Sequence, residues 1–341
     1  SRLHDVSMAI DDGALVAVVG ASGSGKTALL RAVAGLDRID QGAVRLDGRD
    51  VTRATPGERD VGMVFQTPAL LGHLSARRNV SFPLDVRRMA TDEIHRRVDP
   101  EARALHIEQL MHREPATLSA GEQQMVQIAR ALVRVPNVLL LDEPFASLDD
   151  QLRGRMRAEF AVLQSGYRVT TLMTTNDSAD VESLARMVAV LDGGRLVQFG
   201  DTAVVRRLPA NLPAAVATGP LSLIEMIVVG AQQGFWLQRE DPAGGELIMI
   251  RAWSPALADH VGTTVTVGLR PEDVEITDTG TIPATIRSTA QFGGAGVACL
   301  VAGVRVGATV AAGRPPAIGS AVRLRVHHHV VFDRSDDRRI G

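Results

Sequence analysis

The chain has 341 residues, of which 45% are hydrophobic and 22% are charged, and a formal net charge of −2. This length suits two domains, the near-neutral charge argues against nucleic acid as a bulk electrostatic partner, and the single cysteine, Cys299, excludes an intramolecular disulfide and a cysteine-based zinc site. No apolar run reaches the roughly 20 residues of a membrane-spanning helix and no signal peptide is recognisable, so any membrane role must depend on a partner.

The first elements predicted are two strands, Val6–Ile10 and Leu15–Val19, joined by a turn. The second strand leads into Gly-Ala-Ser-Gly-Ser-Gly-Lys-Thr at residues 20–27, and a helix over 28–34 follows. This order is typical of a phosphate-binding P-loop, in which glycines let backbone N–H groups wrap an anion at a helix N-terminus. The alternative is a glycine-rich turn that matches by chance, and the flanking strand and helix argue against it. The residues predicted to bind the nucleotide here are Ser22, Gly23, Ser24, Gly25, Lys26 and Thr27.

Two side chains of this loop have specific expected tasks. Lys26, the only lysine of the chain, is expected to reach the β- and γ-phosphates of the nucleotide. The Thr27 hydroxyl is expected to ligate Mg²⁺. The sequence therefore predicts a nucleotide-binding protein.

The middle of the first half is predicted to be helical. Short strands are predicted over residues 43–48 and 60–66, and apolar residues recur at helical spacing between residues 74 and 135. Ser119-Ala120-Gly121-Glu122 has the form of a capping box and opens a helix with one apolar face. Taken alone, this motif indicates only a well-capped helix.

Two acids follow a fully apolar strand. Val138–Leu141 is uninterruptedly apolar and leads into Asp142 and Glu143. Such runs are typical of central parallel strands, whose carboxyl ends carry the ligands in open α/β sheets. We expect Asp142 to hold Mg²⁺ and Glu143 to act as the general base for water, with a strand entering an acidic loop as the alternative. Further elements are predicted at 150–164 (helix), 169–174 (strand), 178–184 (helix) and 187–191 (strand).

Proline- and glycine-containing breaks at residues 206–219 predict a linker between an α/β domain, residues 1–205, and an all-β domain, residues 220–341. Short apolar runs separated by turns predict a small β-barrel there. These runs cover 246–251, 263–269, 284–289, 296–301, 304–310 and 321–331, with residues 293–296 as a turn. The run His327-His328-His329 is interpreted as structural, because adjacent strand residues point to opposite faces and make a poor metal site.

Together these motifs resemble the ATP-binding subunits of ABC transporters. Residues 20–27 match the Walker A loop, 138–144 match Walker B, and Ser147-Leu148-Asp149 resembles the D-loop. Leu118–Gln124 resembles the ABC signature, residues 77–84 resemble the start of the family's helical subdomain (about 74–135), and Gln66 matches the Q-loop glutamine. The resemblance implies a P-loop ABC ATPase domain in which Gln66 contacts Mg²⁺ and assists catalysis. It also implies that two chains sandwich two nucleotides head to tail, with Ser119, Gly121, Glu122 and Asp149 contributing to the nucleotide sites.

The second domain narrows the resemblance to importers. Val267–Asp273 resembles the Gly-x-Arg-Pro-Glu segment of importer ATPases with a small all-β regulatory domain of OB-like (TOBE) type, and the carbohydrate (maltose/trehalose-type) group is the nearest match. This implies transmembrane permease subunits, an extracytoplasmic solute-binding protein, a second ATPase subunit and a peripheral location on the cytoplasmic face of the membrane. Importers of anions, polyamines or glycerol phosphate, a soluble ABC ATPase and a degenerate regulatory nucleotide binder remain alternatives.

The sequence departs from the family pattern at the switch position. The family's switch histidine is expected 33 residues after Glu143, where this chain has Asn176. Ala120 and Glu122 also replace the glycine and glutamine that are usual in the signature. The family's adenine-stacking aromatic residue is expected upstream of Ser1. We therefore expect Asn176 to take the catalytic role of the switch residue, with slower hydrolysis.

Overall fold

The computed structural model describes residues 3–240, 247–291, 295–301, 303–310 and 315–341, without the side chains of 290, 291 and 295. The chain divides into two compact units, Ser1–Ala203 and Val204–Gly341, close to the predicted boundary after residue 205. The start of the strand predicted at residue 246 and residues 293–294 of the turn predicted at 293–296 lie outside the described residues. The turn prediction is wrong for Ala295 and Gly296, because they begin a strand and pair with residues 291 and 290.

The first unit is an α/β domain. Its strands are β1 (Leu15–Val19), β2 (Arg45–Leu46), β3 (Arg49–Asp50), β4 (Val61–Val64), β5 (Val138–Asp142), β6 (Thr170–Thr174), β7 (Met187–Asp192) and β8 (Arg195–Asp201). Its helices are α1 (Lys26–Ala34), α2 (Ala76–Val86), α3 (Thr91–Ala104), α4 (Ala120–Leu132), α5 (Asp150–Tyr167) and α6 (Ser178–Leu184). The predicted α/β class and the helical stretch between residues 74 and 135 are confirmed.

A six-stranded sheet in the order β4-β5-β6-β1-β7-β8 organises this unit. The pairs from β4 to β7 are parallel, and only β8 is antiparallel to its neighbour. Because parallel strands share one carboxyl edge, the segments that follow β1, β4, β5 and β6 meet at the same side of the sheet. All five residues of β1 are buried, as are Leu139–Asp142 of β5, so this edge rests on a rigid apolar core.

The prediction of a strand at Val6–Ile10 is wrong, but the alternation of partly buried side chains that it implies is present. This segment has no strand assignment, yet Val6, Met8 and Ile10 pack against the sheet core. Alternation of apolar side chains predicts an extended chain, and it cannot tell whether the backbone finds a ladder partner. The strand predicted at 43–48 is instead half of a hairpin, β2–β3, whose turn residues Asp47 and Gly48 both have positive φ, 50° and 73°.

Arg59 closes the carboxyl end of the P-loop helix α1. Its Nη1 donates to the carbonyls of Ala32 and Val33 at 2.8 Å each, its Nε to Ala54 O at 3.0 Å and its Nη2 to Thr52 O at 3.0 Å. The side chain is 5% exposed. A buried cation that satisfies several terminal carbonyls also complements the negative end of the helix dipole.

Replacing Arg59 by methionine is expected to lower the free energy of unfolding by about 3 kcal/mol, because buried carbonyls would lose their donors. Denaturant unfolding of the purified chain measures this change. Arg53→Met, at an exposed arginine of the same loop, is the matched control and is expected to change stability by no more than about 0.5 kcal/mol. Equal effects of the two substitutions would contradict the capping role.

The second unit is all-β apart from short helices. Its helices are α7 (Thr202–Arg207), which begins two residues before the division, and α8 (Leu212–Ala217). Its strands are β9 (Ser222–Gly230), β10 (Phe235–Arg239), β11 (Ile248–Ala252), β12 (Thr264–Leu269), β13 (Val274–Ile276), β14 (Ile282–Gln291), β15 (Ala295–Val301), β16 (Val304–Val310), β17 (Ala321–Val326) and β18 (Val330–Asp333). They form a five-stranded sheet, β11-β10-β9-β12-β18, and a closed barrel, β13-β16-β15-β14-β17.

The prediction of a small barrel is confirmed, but it covers only half of this unit. The other half is the open sheet, and one hydrophobic cluster joins the two, with Ile224 and Val267 from the sheet and Ile286 and Leu324 from the barrel. The predicted strand over residues 321–331 is in fact β17 and β18, which belong to the barrel and to the sheet respectively. Strand lengths and turns do not specify which strands pair, so the sequence could not separate the two sheets.

The segment predicted as a linker, residues 206–219, is partly helical and packed. Asn211 caps α8 by accepting from Ala214 N at 3.0 Å, and Pro213 lies in the first helical turn, where its missing N–H costs nothing. The proline therefore starts a helix where the sequence prediction assumed a break. Arg270, of the Gly-x-Arg-Pro-Glu segment, is 5% exposed and donates to Ala215 O at 3.1 Å, which ties this helix to its unit.

Candidate functional site

Four loops with predicted site residues leave the same edge of the six-stranded sheet. The P-loop follows β1, Gln66 follows β4, Glu143 directly follows β5, and Asn176 follows β6. The order β4-β5-β6-β1 places these loops side by side. This arrangement brings residues as far apart in sequence as 20 and 176, a separation of 156 positions, together in one candidate nucleotide site.

The backbone of the P-loop takes conformations that require glycine. Gly20 has φ of 147°, and a Cβ there would lie 2.0 Å from the carbonyl oxygen of Leu191. Gly23 and Gly25 also have positive φ, 80° and 108°, and Gly25 is the N-cap of α1. Backbone N–H groups at the start of this helix and its dipole make the loop a binding site for anions.

Lys26 lies at the first position of α1 and is 5% exposed. Its ammonium donates to Gly20 O at 2.8 Å and to Ala21 O at 3.1 Å, which leaves one of its three protons for a further acceptor. Burial lowers the pKa of the Lys26 ammonium below its ordinary value of 10.5, and the carboxylates of Glu143 and Asp142 oppose this shift. The side chain is thus a partly desolvated cation held against the loop.

The two serines of the loop differ. Ser22 is exposed, whereas Ser24 is 4% exposed and its hydroxyl has no hydrogen-bond partner within the described part of the chain. Gly23, between them, has no atom within 4 Å of the position that a Cβ would take. Residues 22 and 23 are thus exposed, whereas Ser24 and Gly25 are buried, and the contact of these four residues with nucleotide stays a prediction.

The donor set beside the loop fits a magnesium ion. Thr27 Oγ1 donates to Asp142 Oδ1 at 3.1 Å, and Thr174 Oγ1 donates to the same oxygen at 2.8 Å. Asp142 is 4% exposed, and Gln66, whose Nε2 donates to the neighbouring Glu143, carries an amide oxygen that could serve as a further ligand. Mg²⁺ prefers oxygen ligands and is commonly bound by one carboxylate together with substrate phosphates and water. One carboxylate, one hydroxyl and one amide oxygen match that chemistry.

Two amides hold the Glu143 carboxylate. Gln66 Nε2 donates to Glu143 Oε2 at 3.0 Å, and Asn176 Nδ2 donates to Glu143 Oε1 at 2.6 Å. The backbone of Glu143 has a positive φ of 45°, and its N–H donates to Thr174 O at 3.1 Å and Thr174 Oγ1 at 2.9 Å. Each carboxylate oxygen retains a lone pair, so Glu143 is oriented and can still accept a proton.

Thr174 is a site residue that the sequence analysis missed. Its hydroxyl contacts Asp142 and its carbonyl and hydroxyl contact the backbone of Glu143, so it joins the two acids from the neighbouring strand. The signal was the polar end of β6, where Thr174 and Thr175 are buried at the carboxyl edge. Strand order decides that this end lies beside Asp142, and strand order cannot be obtained from one sequence.

The signature residues form the predicted capping box at the start of α4. Ser119 Oγ accepts from Glu122 N at 3.3 Å, and Glu122 Oε2 accepts from Ser119 N at 2.8 Å. Gly121 is buried against α5, and a Cβ there would lie 2.7 Å from Leu152 Cδ2. Helix α4 packs against β4, α2 and α3. Within one chain, Ser119 and Glu122 bond to each other and Gly121 packs against α5. The structure does not bring these residues to the P-loop.

Asp149 of the D-loop caps a different helix. Its Oδ1 accepts from Leu152 N at 2.9 Å, which fixes the start of α5. The residue is exposed. Its predicted contribution to nucleotide binding therefore depends on a second chain, as it does for the signature residues.

The histidine run contributes no metal centre to the described residues. His327 Nε2 lies 3.0 Å from Glu275 Oε2 and His328 Nδ1 lies 3.6 Å from Asp273 Oδ2, while burial lowers the pKa of His329 to about 4. Across the described part of the chain, no group of three or more His, Cys, Asp or Glu side chains is arranged to hold a metal ion. Among the described helices, none is long and apolar enough to cross a membrane.

Comparison with known proteins identifies the family. The sequence model of the family described as "ABC transporter" matches residues 3–146. The sn-glycerol-3-phosphate import ATP-binding protein UgpC of Chromobacterium violaceum is 36% identical over 99% of this chain and 91% of its own. UgpC of Cupriavidus metallidurans is 37% identical over 80% of this chain and 75% of its own. The chain belongs to the ATP-binding subunits of ABC transporters.

Other members of this ABC family differ in the solute that their names state. The sulfate/thiosulfate import ATP-binding protein CysA of Nocardia farcinica is 38% identical over 81% of this chain and 79% of its own. A solved ATP-binding cassette, a dimer in a post-hydrolysis state with ADP and Pi bound, has a TM-score of 0.54 at 28% identity over 58% of this chain and 90% of its own. The prediction of an ABC ATP-binding subunit is therefore confirmed.

Proposed function

We propose that this protein is the ATP-hydrolysing motor subunit of an ABC importer. The observation that carries the proposal is the cluster at the sheet edge, where the P-loop lysine, the Thr27–Asp142 pair and the oriented Glu143 carboxylate lie together. A relative named an import ATP-binding protein matches 99% of the chain, which supports an importer over a soluble ABC ATPase.

The residues of the site divide the chemistry between them. Lys26 and the backbone of the P-loop bind the β- and γ-phosphates, and Thr27, Asp142 and Gln66 would hold Mg²⁺, which supplies positive charge to the phosphate oxygens when bound. Glu143 takes the proton of the attacking water. Asn176, which is 2.6 Å from Glu143 through its amide, keeps that carboxylate in line.

A second copy of the chain completes each site in this proposal. The N-terminus of α4, with Ser119, Gly121 and Glu122, would face the γ-phosphate bound to the partner's P-loop, and Asp149 would lie at the same interface. The capping box supports this arrangement because it fixes an exposed helix N-terminus suited to an anion. The dimeric state of the ATP-binding cassette with ADP and Pi is a second support.

Partners and solute follow from the same proposal. The ATPase dimer would bind two permease subunits at the cytoplasmic face of the membrane, and an extracytoplasmic binding protein would deliver the solute. A sugar remains the solute that the sequence resemblance favours, and a glycerol phosphate or a sulfate-like anion is the alternative that the relatives' names favour. The second unit would regulate or dimerise the motor, since its described loops carry no P-loop sequence.

The deciding experiment is purification of the protein from native membranes under mild detergent, with identification of the proteins that accompany it. Permease subunits and a binding protein are expected, and their genes then allow reconstitution in liposomes with sugars, glycerol 3-phosphate and sulfate as competing solutes. ATP-dependent uptake of one of them would identify the solute. Co-purification with ribosomes or DNA-repair proteins in place of permeases would refute the importer proposal.

Asn176→His is expected to speed ATP hydrolysis by the reconstituted transporter and to leave ATP affinity nearly unchanged. An asparagine amide donates to Glu143 but cannot become cationic, so it stabilises the charge of the phosphoryl-transfer transition state less than histidine does. Loss of one preorganised donor costs about 10²–10³ in rate in other enzymes, and the retained amide should keep the present deficit below that. An unchanged or lower rate in Asn176→His would show that the site is tuned to asparagine.

A further inference from the structure

Two arginines of α5 bind the loop that carries Asn176. Arg157 donates from Nη2 to Asp177 Oδ2 at 2.6 Å and from Nε to Asp180 Oδ1 at 2.5 Å. Asp180 is 2% exposed, and its other oxygen accepts from the Thr175 hydroxyl at 2.6 Å. Asp177, which follows Asn176, is therefore bound to α5 directly. Thr175, which precedes Asn176, is connected to the same helix through Asp180.

Arg153, one turn earlier on α5, binds two loops at once. Its Nη1 lies 3.2 Å from Asp177 Oδ2, beside Asn176. Its Nη2 donates to Leu148 O at 2.9 Å and its Nε to Phe145 O at 3.3 Å. Both carbonyls belong to the segment 145–148, which follows the general base along the chain. One guanidinium thus joins that segment to the loop of the switch residue.

This connection is stiff on both sides. The side chain of Arg153 is 23% exposed, and Phe145 is a fully buried ring packed against Phe160 of the same helix. A planar guanidinium presents its donors in a fixed fork, so it binds several acceptors in one geometry. A displacement of the segment 145–148 would therefore reach Asp177 through the same group.

We infer that Arg153 is a positioning residue for ATP hydrolysis, which fixes the loop of Asn176 to the segment 145–148 and so keeps the Asn176 amide on Glu143. The inference rests on the proposed ATPase function. Arg153 acts through Asp177 and Asn176, and no role in nucleotide contact is assigned to it. Because Asp149 directly follows this segment and caps α5, the approach of a partner chain at the D-loop would be felt at the general base through Arg153.

The kinetic test uses the reconstituted transporter and three single variants. Arg153→Met keeps the length of the side chain and removes its donors, and it is expected to lower kcat about tenfold while KM for ATP changes less than about twofold. Arg153→Lys keeps the positive charge but not the planar set of donors, and its kcat is expected to lie between those of the wild type and Arg153→Met. Arg155→Met is the matched control, since Arg155 is exposed on the same helix and has no hydrogen bond or ion pair to any residue that the structure describes; its kcat is expected to stay unchanged.

A double-mutant cycle separates positioning from general damage. In an Asn176→Ala background, Arg153→Met is expected to lower kcat by less than about threefold, because the group that it positions is already gone. A full tenfold loss in that background would overturn the inference. So would a kcat within twofold of wild type for Arg153→Met alone, or a loss expressed mainly in KM.

Hydrogen exchange tests the same connection without using hydrolysis. In the purified full-length chain, Arg153→Met is expected to speed exchange of the backbone amides of Asp177 and Ala179 about tenfold, and Arg155→Met is expected to leave them unchanged. If Arg153→Met loses its thermal unfolding transition, Arg153→Lys is measured instead, and a smaller increase in the exchange rates of the same amides is expected. Unaltered exchange in a folded Arg153 variant would overturn the inference. Faster exchange combined with an inactive wild-type transporter would instead refute the proposed function and leave the connection standing.

Discussion

Glu143→Gln is expected to bind ATP as the wild-type protein does and to hydrolyse it about 10²–10⁴ times more slowly. Glutamine has almost the same shape as glutamate, so the P-loop and the Thr27–Asp142 pair should be undisturbed. It cannot accept the proton of the attacking water at neutral pH, which removes the acid–base step. The variant should therefore accumulate as a closed dimer with ATP bound.

The hydrogen bonds around Glu143 sharpen this expectation. The wild-type carboxylate accepts from Gln66 through one oxygen and from Asn176 through the other. A glutamine amide offers one acceptor and one donor group, so one of these two contacts would have to rotate.

Steady-state hydrolysis and nucleotide binding are measured side by side on the reconstituted transporter, and dimer closure by size-exclusion chromatography of the purified chain with ATP. Glu108→Gln, at an exposed glutamate away from the sheet edge, is the control and should behave as wild type. Near-normal hydrolysis in Glu143→Gln would mean that another group activates the water.

Much of the site could be predicted because its motifs are contiguous. The P-loop lies within residues 20–27, and Asp142 and Glu143 are adjacent at the end of an apolar strand, so spacing alone indicates their chemistry. The position of Asn176 relative to Glu143 depended on a family resemblance, and the structure places its amide 2.6 Å from that carboxylate. These elements are local in sequence or fixed in spacing.

The rest depended on pairing in space. Thr174 contacts Asp142 and Glu143 only because β6 lies beside β5. Arg153 contacts the loop of Asn176 only because α5 packs across that loop. The helix at Leu212–Ala217 was missed because proline disrupts the interior of a helix but is favoured in its first turn, where Pro213 lies. The separation of the second unit into a sheet and a barrel likewise depends on strand order, for which hydropathy patterns give no information.

Lys26→Met is expected to weaken ATP binding about 10- to 150-fold, the effect of removing a charge-assisted hydrogen bond to phosphate. The ammonium is buried at the start of α1 and bound by two loop carbonyls, at 2.8 and 3.1 Å, so its position is fixed before the nucleotide arrives. Methionine fills a similar volume and offers no donor, which leaves those carbonyls unsatisfied as well. Nucleotide binding is measured by calorimetry on the purified chain.

Lys26→Arg tests whether charge alone is sufficient. A guanidinium is wider than an ammonium and cannot occupy the same space between the loop carbonyls of Gly20 and Ala21, so this variant is also expected to lose most of its affinity. Arg31→Met is the control, because Arg31 lies on the same helix in an exposed ion pair with Asp37 and should leave ATP binding unchanged. Affinity within threefold of wild type in Lys26→Met would contradict the phosphate-binding role.

The pH dependence of binding gives an independent measurement of the same group. Burial lowers the pKa of Lys26 in the folded protein, and an anionic phosphate beside the ammonium should raise it again. By linkage, ATP binding then takes up protons at alkaline pH, and affinity falls as pH rises through the lowered pKa of the free protein. Because Lys26 is the only lysine, biosynthetic incorporation of ¹³C,¹⁵N-labelled lysine labels one residue without changing its ammonium group, and the NMR titration of that side chain reports its pKa directly. The signal should titrate below 10.5 without nucleotide and shift upward with ATP, whereas a pKa that ATP leaves unchanged would place the phosphates away from Lys26.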